Sequence, residues 1–194
     1  MANITSVFEF FERIKMKREK IIKLVLSAML LGAGIVLPLL TSQIKEIGDS
    51  LLPMHFVVFL CGLLCGGAYG GAVGFILPLL RSFIFSMPPL YPNAVWMALE
   101  LTTYGFISGF LYSKSNKQNL KTIYASLITA MLAGRVVWGV SKAILLCIGG
   151  KAFSFAMFIA GGFVDAVPGI IIQLILIPQI INIITNVNKK TNKK

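Results

Sequence analysis

Five ionisable residues stand in otherwise apolar sequence: Arg81, Glu100, Arg135, Lys142 and Asp165. A charge in hydrocarbon costs at least about 2.5–3.5 kcal/mol on insertion scales, so each needs a counter-ion, a water-filled cavity or a ligand. Spacing sorts them into groups. Asn93, Trp96 or Met97, Glu100 and Tyr104 recur at three- and four-residue steps, which is one face of a helix. Arg135, Trp138 and Lys142 fall on one face in the same way. Asp165 and the deeper Gln173 belong to a third segment, and His55 stands at the mouth of a fourth. Three cations (Arg81, Arg135, Lys142) against two anions (Glu100, Asp165) leave one positive charge over, which suits a carboxylate or phosphate on a ligand. Tyr91, Asn93, Trp96, Trp138 and Gln173 accompany the charges, and a small-molecule pocket needs this mix of apolar wall and a few placed polar groups. The competing reading is two internal salt bridges, Arg81–Glu100 and Asp165 with Arg135 or Lys142, that only pin helices together. Tyr91 and Trp96 equally suit an interfacial aromatic belt, and His55 an interfacial polar position.

Several chemistries lack their residues. No G-x-x-x-x-G-K-[ST] phosphate loop exists, and Gly149-Gly150-Lys151-Ala152 has neither its spacing nor its hydroxyl. H-E-x-x-H and G-x-S-x-G are absent too. The chain is read as no enzyme, with no catalytic residue, metal site or cofactor. Cys61, Cys65 and Cys147 show no metal spacing, and their odd number gives no disulfide framework, so they read as small packing residues.

The elements that must position these groups are membrane helices. Of the 194 residues, 57% are hydrophobic and 13% charged, and mean hydropathy is +0.85. Soluble domains carry about 25% charged residues. Since a spanning helix takes about 20 residues, the expected fold is all-α integral membrane, with six transmembrane helices and no large soluble domain. The spans fall at about 21–40, 53–66, 72–85, 93–112, 120–147 and 156–184, forming one membrane domain over 21–184. Helix 2 is short. The Gly66–Gly74 run permits a tight turn, Pro78 a kink in helix 3, and Pro168-Gly169 and Pro178 interruptions in helix 6. Residues 1–20 read as a short cytoplasmic amphipathic helix. It opens at a capping box, Ser6 to Glu9, with Val7, Phe10, Phe11 and Ile14 on one face. Residues 185–194 read as a basic cytoplasmic tail. Ala28 and Gly32 form a small-xxx-small pair that lets another helix approach closely.

The net charge of +11 gathers at the ends. Six basic residues lie between Arg13 and Lys23, and four in the closing KKTNKK. Such clusters set orientation and touch anionic lipid rather than nucleic acid. The basic excess, with Lys114, Lys117 and Lys121, puts both termini in the cytoplasm. The loop Thr41–Leu52 (with Lys45, Glu46 and Asp49), the turn Met87–Pro92 and Lys151 are then outside. At a rise of about 1.5 Å per residue, Arg81 lies roughly 6 Å, Glu100 roughly 10 Å and Arg135 about 18 Å below the outer helix ends.

Four segments carry a resemblance: LLPMHFVVFLCGLLCG (Leu51–Gly66), GFILPLLRSFIFSMPPLYPNAV (Gly74–Val95), ALELTTYGFISGFLY (Ala98–Tyr112) and VPGIIIQLILIP (Val167–Pro178). With the six-helix length, the basic N-terminus and Ser27–Ala33, the chain resembles the substrate-binding S components of energy-coupling-factor (ECF) vitamin transporters over about 21–184. The resemblance implies a subunit of the bacterial cell membrane that captures a small water-soluble vitamin at its outer face. It implies docking onto a transmembrane coupling protein and two ATPases, with toppling to release the ligand inside. In that family a small-residue face of helix 1, typically A-x-x-x-A, contacts the coupling protein. Ala28-x-x-x-Gly32 is the matching pair here, with glycine in place of the second alanine. A B6 vitamer, pantothenate or a queuosine precursor are candidate ligands. A stand-alone ion-coupled carrier with a proton site at Glu100 or Asp165, and a non-transport scaffold, are the alternatives.

Overall fold

The computed structural model describes residues 2–41, 52–115, 119–150 and 152–191, and of 2–12 and 188–191 the backbone alone. The helices are α1 (Ala2–Thr41), α2 (Pro53–Cys65), α3 (Gly67–Phe85), α4 (Val95–Lys114), α5 (Leu120–Ile148), a short α6 (Phe155–Ile159) and α7 (Val167–Thr191). No strand occurs among the described residues. Five stretches are long and apolar enough to cross a membrane: Arg13–Thr41, Gly67–Phe85, Leu90–Lys114, Leu120–Ile148 and Phe155–Val187, with Pro53–Cys65 a shorter apolar helix. The family of apolar side chains left facing outward, such as Phe83, Val136, Val140 and Ile175, suits a hydrocarbon surrounding.

The helices alternate in direction. One end of the bundle gathers the starts of α2, α4 and α7 and the finishes of α1, α3 and α5. Contacts at that end tie the chain across: Arg81 near the finish of α3 reaches the Ile35 carbonyl of α1 (2.8 Å). The Tyr91 hydroxyl donates to the Leu145 carbonyl of α5 (3.3 Å). Gln173 of α7 donates to the Leu52 carbonyl at the head of α2 (3.4 Å).

α4 lies at the centre, packed against α2, α3 and α5. Glycine makes the α2–α3–α4 contact possible. A Cβ on Gly70 would stand 2.5 Å from the Gly62 Cα and 2.6 Å from the Gly105 carbonyl oxygen, so backbone meets backbone there. Around this contact Phe59, Leu77, Leu101, Leu127 and Ile177 fill the core. Cys61 and Cys65 are buried, as packing residues would be, with the Cys61 Sγ 3.5 Å from the Ser27 Oγ, whereas Cys147 is exposed.

Several boundaries differ from the sequence reading. The amphipathic leader is helical, but no break separates it from the first span: Ala2–Thr41 is one helix. Its start precedes Ser6, so Ser6 sits inside the helix and not at a cap. Nothing in the sequence between Lys20 and Ile21 breaks a helix, and Lys and Arg are good helix formers. The glycine run is mostly helical. Only Gly66, at φ 103°, makes the turn from α2, and α3 begins at Gly67. The last span leaves α-helical geometry earlier than Pro168-Gly169, in a π-helical turn at Ala160–Val164 followed by a turn at Asp165-Ala166, and Phe155–Val187 still reads as one span. Pro168 instead lies in the first turn of α7, where its missing N–H costs no bond. Pro178 sits within α7 without ending it. The loop residues 42–51, with Lys45, Glu46 and Asp49, and Lys117 and Lys151 lie outside the described residues, as do the side chains of Val7, Phe10 and Phe11.

Candidate functional site

Glu100 is the centre of a buried polar cluster. It sits one and a half turns into α4 and is 2% exposed. Three groups converge on its Oε1. Tyr104, one turn on along the same helix, donates its hydroxyl at 2.8 Å. Arg135 of α5 donates from Nη1 at 2.8 Å. The Nε2 of His55, from the first turn of α2, stands at 3.7 Å. Arg135 and His55 are themselves buried, so the carboxylate–guanidinium pair is formed away from water, where removal of either partner strands the other.

Small residues place these groups. A Cβ on Gly134 would overlap the Tyr104 ring, so glycine next to Arg135 gives that ring its room. On the other side Tyr104 packs against His55 (ring centroids 5.3 Å apart) and Phe59 (5.0 Å). The His55 ring is therefore fixed by packing, while neither of its nitrogens has a hydrogen-bond partner among the described residues. A buried imidazole without a hydrogen bond is uncommon and costs stability. Here it faces the one carboxylate of the cluster.

A second group lies one turn nearer the bundle end. The Lys142 ammonium stands 4.5 Å from the Trp138 ring centroid, 5.4 Å from that of Trp96 and 5.8 Å from that of Phe153. Trp138 in turn rests on the π-helical turn after α6: Cβ atoms on Gly161 and Gly162 would stand 3.1 and 3.3 Å from its ring. Phe158 packs on Trp138 as well (6.1 Å), in space left by Gly139. The two groups form one ladder between α4 and α5. Trp96 is level with Trp138 and Lys142, Glu100 with Arg135, and Tyr104 with Gly134.

Glu100, Arg135, Trp96, Trp138, Lys142 and His55 are thus brought together. The others stand apart. Arg81 does not pair with Glu100. Its guanidinium donates to the Ile35 carbonyl and lies over the Phe85 ring at 5.6 Å, because its face of α3 turns toward α1. Asp165 is exposed, and among the described residues no cation lies within ion-pair distance of it. The two bridges foreseen as helix pins are therefore replaced by one, Glu100–Arg135. Gln173 is buried, but its amide serves the head of α2. Tyr91 is exposed and anchors the turn before α4 to α5, and Asn93 is half-buried on that turn. Sequence reasoning set Tyr104 on the Glu100 face without giving it a role, and missed Gly134 and Phe153. The i, i+4 spacing of Glu100 and Tyr104 was the available signal for the first. Nothing local marks the other two.

Ala28 and Gly32 both lie on the outward face of α1, and a Cβ on Gly32 would meet nothing within 4 Å. That face is open to a partner or to lipid, and the pair does not pack inside the bundle.

The family model described as "ECF transporter, substrate-specific component" matches residues 22–181. Neither a curated protein nor a solved structure matches the chain at comparable stringency. A match over most of the chain, together with the apolar helical bundle, places it in the bacterial cell membrane as a multi-pass transport subunit and not among enzymes. The chain belongs to the substrate-specific component family of ECF transporters.

Proposed function

We propose that this subunit captures a small water-soluble vitamin or related compound from outside the cell and hands it on through a coupling protein driven by two ATPases. In this reading six segments cross the membrane, with both termini cytoplasmic. The bundle end that carries Trp96, Lys142 and the head of α2 faces outward. The observation that carries the reading is the ladder between α4 and α5. It concentrates a carboxylate, a guanidinium, an imidazole and an ammonium, with two tryptophans, toward one end of an otherwise apolar bundle. A bundle needing only to hold together gains little from burying an imidazole that makes no hydrogen bond. Arg81, Tyr91, Asn93, Asp165 and Gln173 shape the approach in this reading, through the contacts that fix α1, α2 and the turn before α4. The exposed Ala28–Gly32 face of α1 is the docking surface for the coupling protein.

An ion-coupled carrier with Glu100 or Asp165 as its proton site is the less supported alternative, since Arg135 already neutralises Glu100 at 2.8 Å and Asp165 is exposed, apart from the buried cluster. Native mass spectrometry of the gently extracted protein tests the proposal. A retained vitamin-sized ligand, with co-extracted coupling protein and ATPases, is the expected result. Uptake that collapses with the proton gradient while ATP remains would sink it.

A further inference from the structure

Two of the three cations in apolar sequence, Arg81 and Lys142, have no carboxylate within ion-pair distance among the described residues. Arg135 is matched by Glu100, and Arg81 is held by the Ile35 carbonyl. Lys142 has no carboxylate within ion-pair distance among the described residues. Its ammonium instead lies among three ring faces contributed by separate segments: Trp96 at the start of α4, Trp138 on α5 and Phe153 before α6. Ring faces attract a cation but offer no lone pair to an N–H, and an ammonium has three of them. The residue is only partly buried.

We propose that Lys142 in its aromatic box is the anion-recognition point of the substrate site. The substrate then carries a carboxylate or phosphate that pairs with the Lys142 ammonium, while its body lies against Trp96 and Trp138. This rests on the reading of the chain as a substrate-capture subunit. The physical reason is complementarity. The box desolvates the ammonium while the carboxylates that act on it, Asp165 and Glu100, stand beyond ion-pair distance, so an anion brought into contact gains a charge-assisted hydrogen bond that a neutral analogue lacks.

The chain has two tryptophans, and both are in the box. Indole emission of the full-length protein in lipid nanodiscs therefore reads this site alone. The probes are three acid and neutral pairs: nicotinate with nicotinamide, pantothenate with pantothenol, and pyridoxal 5′-phosphate with pyridoxal. At least one acid should shift the emission, with its neutral partner binding at least about tenfold more weakly, the scale of one charge-assisted bond. Lys142→Met should abolish that gap, and Lys142→Arg should keep part of it. Which acid succeeds separates carboxylate from phosphate recognition. The inference is overturned if neutral partners bind as well as the acids, if no acid shifts the emission, or if the gap survives in Lys142→Met. Should that variant fail to fold, the wild-type comparison still decides. Co-purification of the coupling protein and ATPases is scored separately. If they are retained and no acid binds, anion recognition falls and the transport reading stands; if they are lost, the transport reading falls.

Discussion

Replacing Arg135 by Met tests the ladder at its centre. The substitution keeps an unbranched stem reaching about as far as Nε and removes the guanidinium 2.8 Å from the Glu100 carboxylate. Both groups are buried, at 6% and 2% exposure, so water cannot take over the lost contact. Stranding one member of a buried ion pair costs about 3–5 kcal/mol. The Tyr104 hydroxyl stays on the same oxygen and returns part of this, so the lower half of that range is expected. Even about 3 kcal/mol changes the ratio of folded to unfolded protein on the order of 10²-fold. Glu100→Gln strands the other partner and should cost a similar amount. The double variant removes both charges and should recover most of the loss, because a buried pair replaced by neutral groups is often near neutral. The assay is equilibrium unfolding in mixed micelles with increasing SDS fraction, followed by helical circular dichroism. A coupling energy of at least about 2 kcal/mol between the two sites is expected, well outside the roughly 0.5 kcal/mol scatter of independent sites. If Arg135→Met unfolds like the wild type, or if the two losses simply add, the pair does not carry the packing of α4 on α5. Ligand binding measured on the folded fraction should fall in both single variants, and normal affinity in both would remove them from the site.

Other substitutions should separate the remaining contacts. Gly134→Ala pushes a methyl group into the Tyr104 ring and should cost about 1–3 kcal/mol of overpacking in the same unfolding assay; an unchanged midpoint would mean that the ring has other room. Arg81→Met loses the bond to the Ile35 carbonyl and should cost about 1.5–3 kcal/mol. It should add to Arg135→Met without coupling, since the two share no partner, and a coupling above about 0.5 kcal/mol would contradict this. Exchanging the charges as Arg81→Glu with Glu100→Arg should fail to restore stability or uptake; recovery would mean that the two face each other after all. Ala28→Leu and Gly32→Leu lie on the open face of α1 and should move stability by no more than about 0.5 kcal/mol. They should leave ligand binding intact and block uptake; lost binding would place that face inside the bundle.

Much of the architecture is written in the sequence, because helix period and hydropathy are local properties. Runs of apolar residues between polar punctuation marked α2, α4 and α5 to within a few residues. The i, i+3, i+4 rule set Trp96, Glu100 and Tyr104 on one face and Arg135, Trp138 and Lys142 on another. Local signals misled where the competing choices differ little in energy. Lysines and arginines continue a helix as readily as they leave a membrane, so the leader ran on into α1. Proline is as comfortable in the first turn of a helix as at a break, so Pro168 opened α7, and the departure from α-helical geometry lay at Ala160–Ala166.

Pairing was a different matter. The five charges in apolar sequence were legible from the chain alone. Depth placed Arg81 nearest to the level of Glu100 and Arg135 deeper. Yet Glu100 meets Arg135, because the rotation of α3 turns Arg81 toward α1 and the Ile35 carbonyl. That rotation is set by where backbones can touch, at Gly62, Gly70 and Gly105, and by the space Gly134 leaves for Tyr104. These contacts join residues from separate helices and leave no periodic trace in any one of them. The sequence by itself therefore determined which residues hydrocarbon would punish. Only the packing of helix on helix decided which of them answer one another, and which cation was left among the tryptophans.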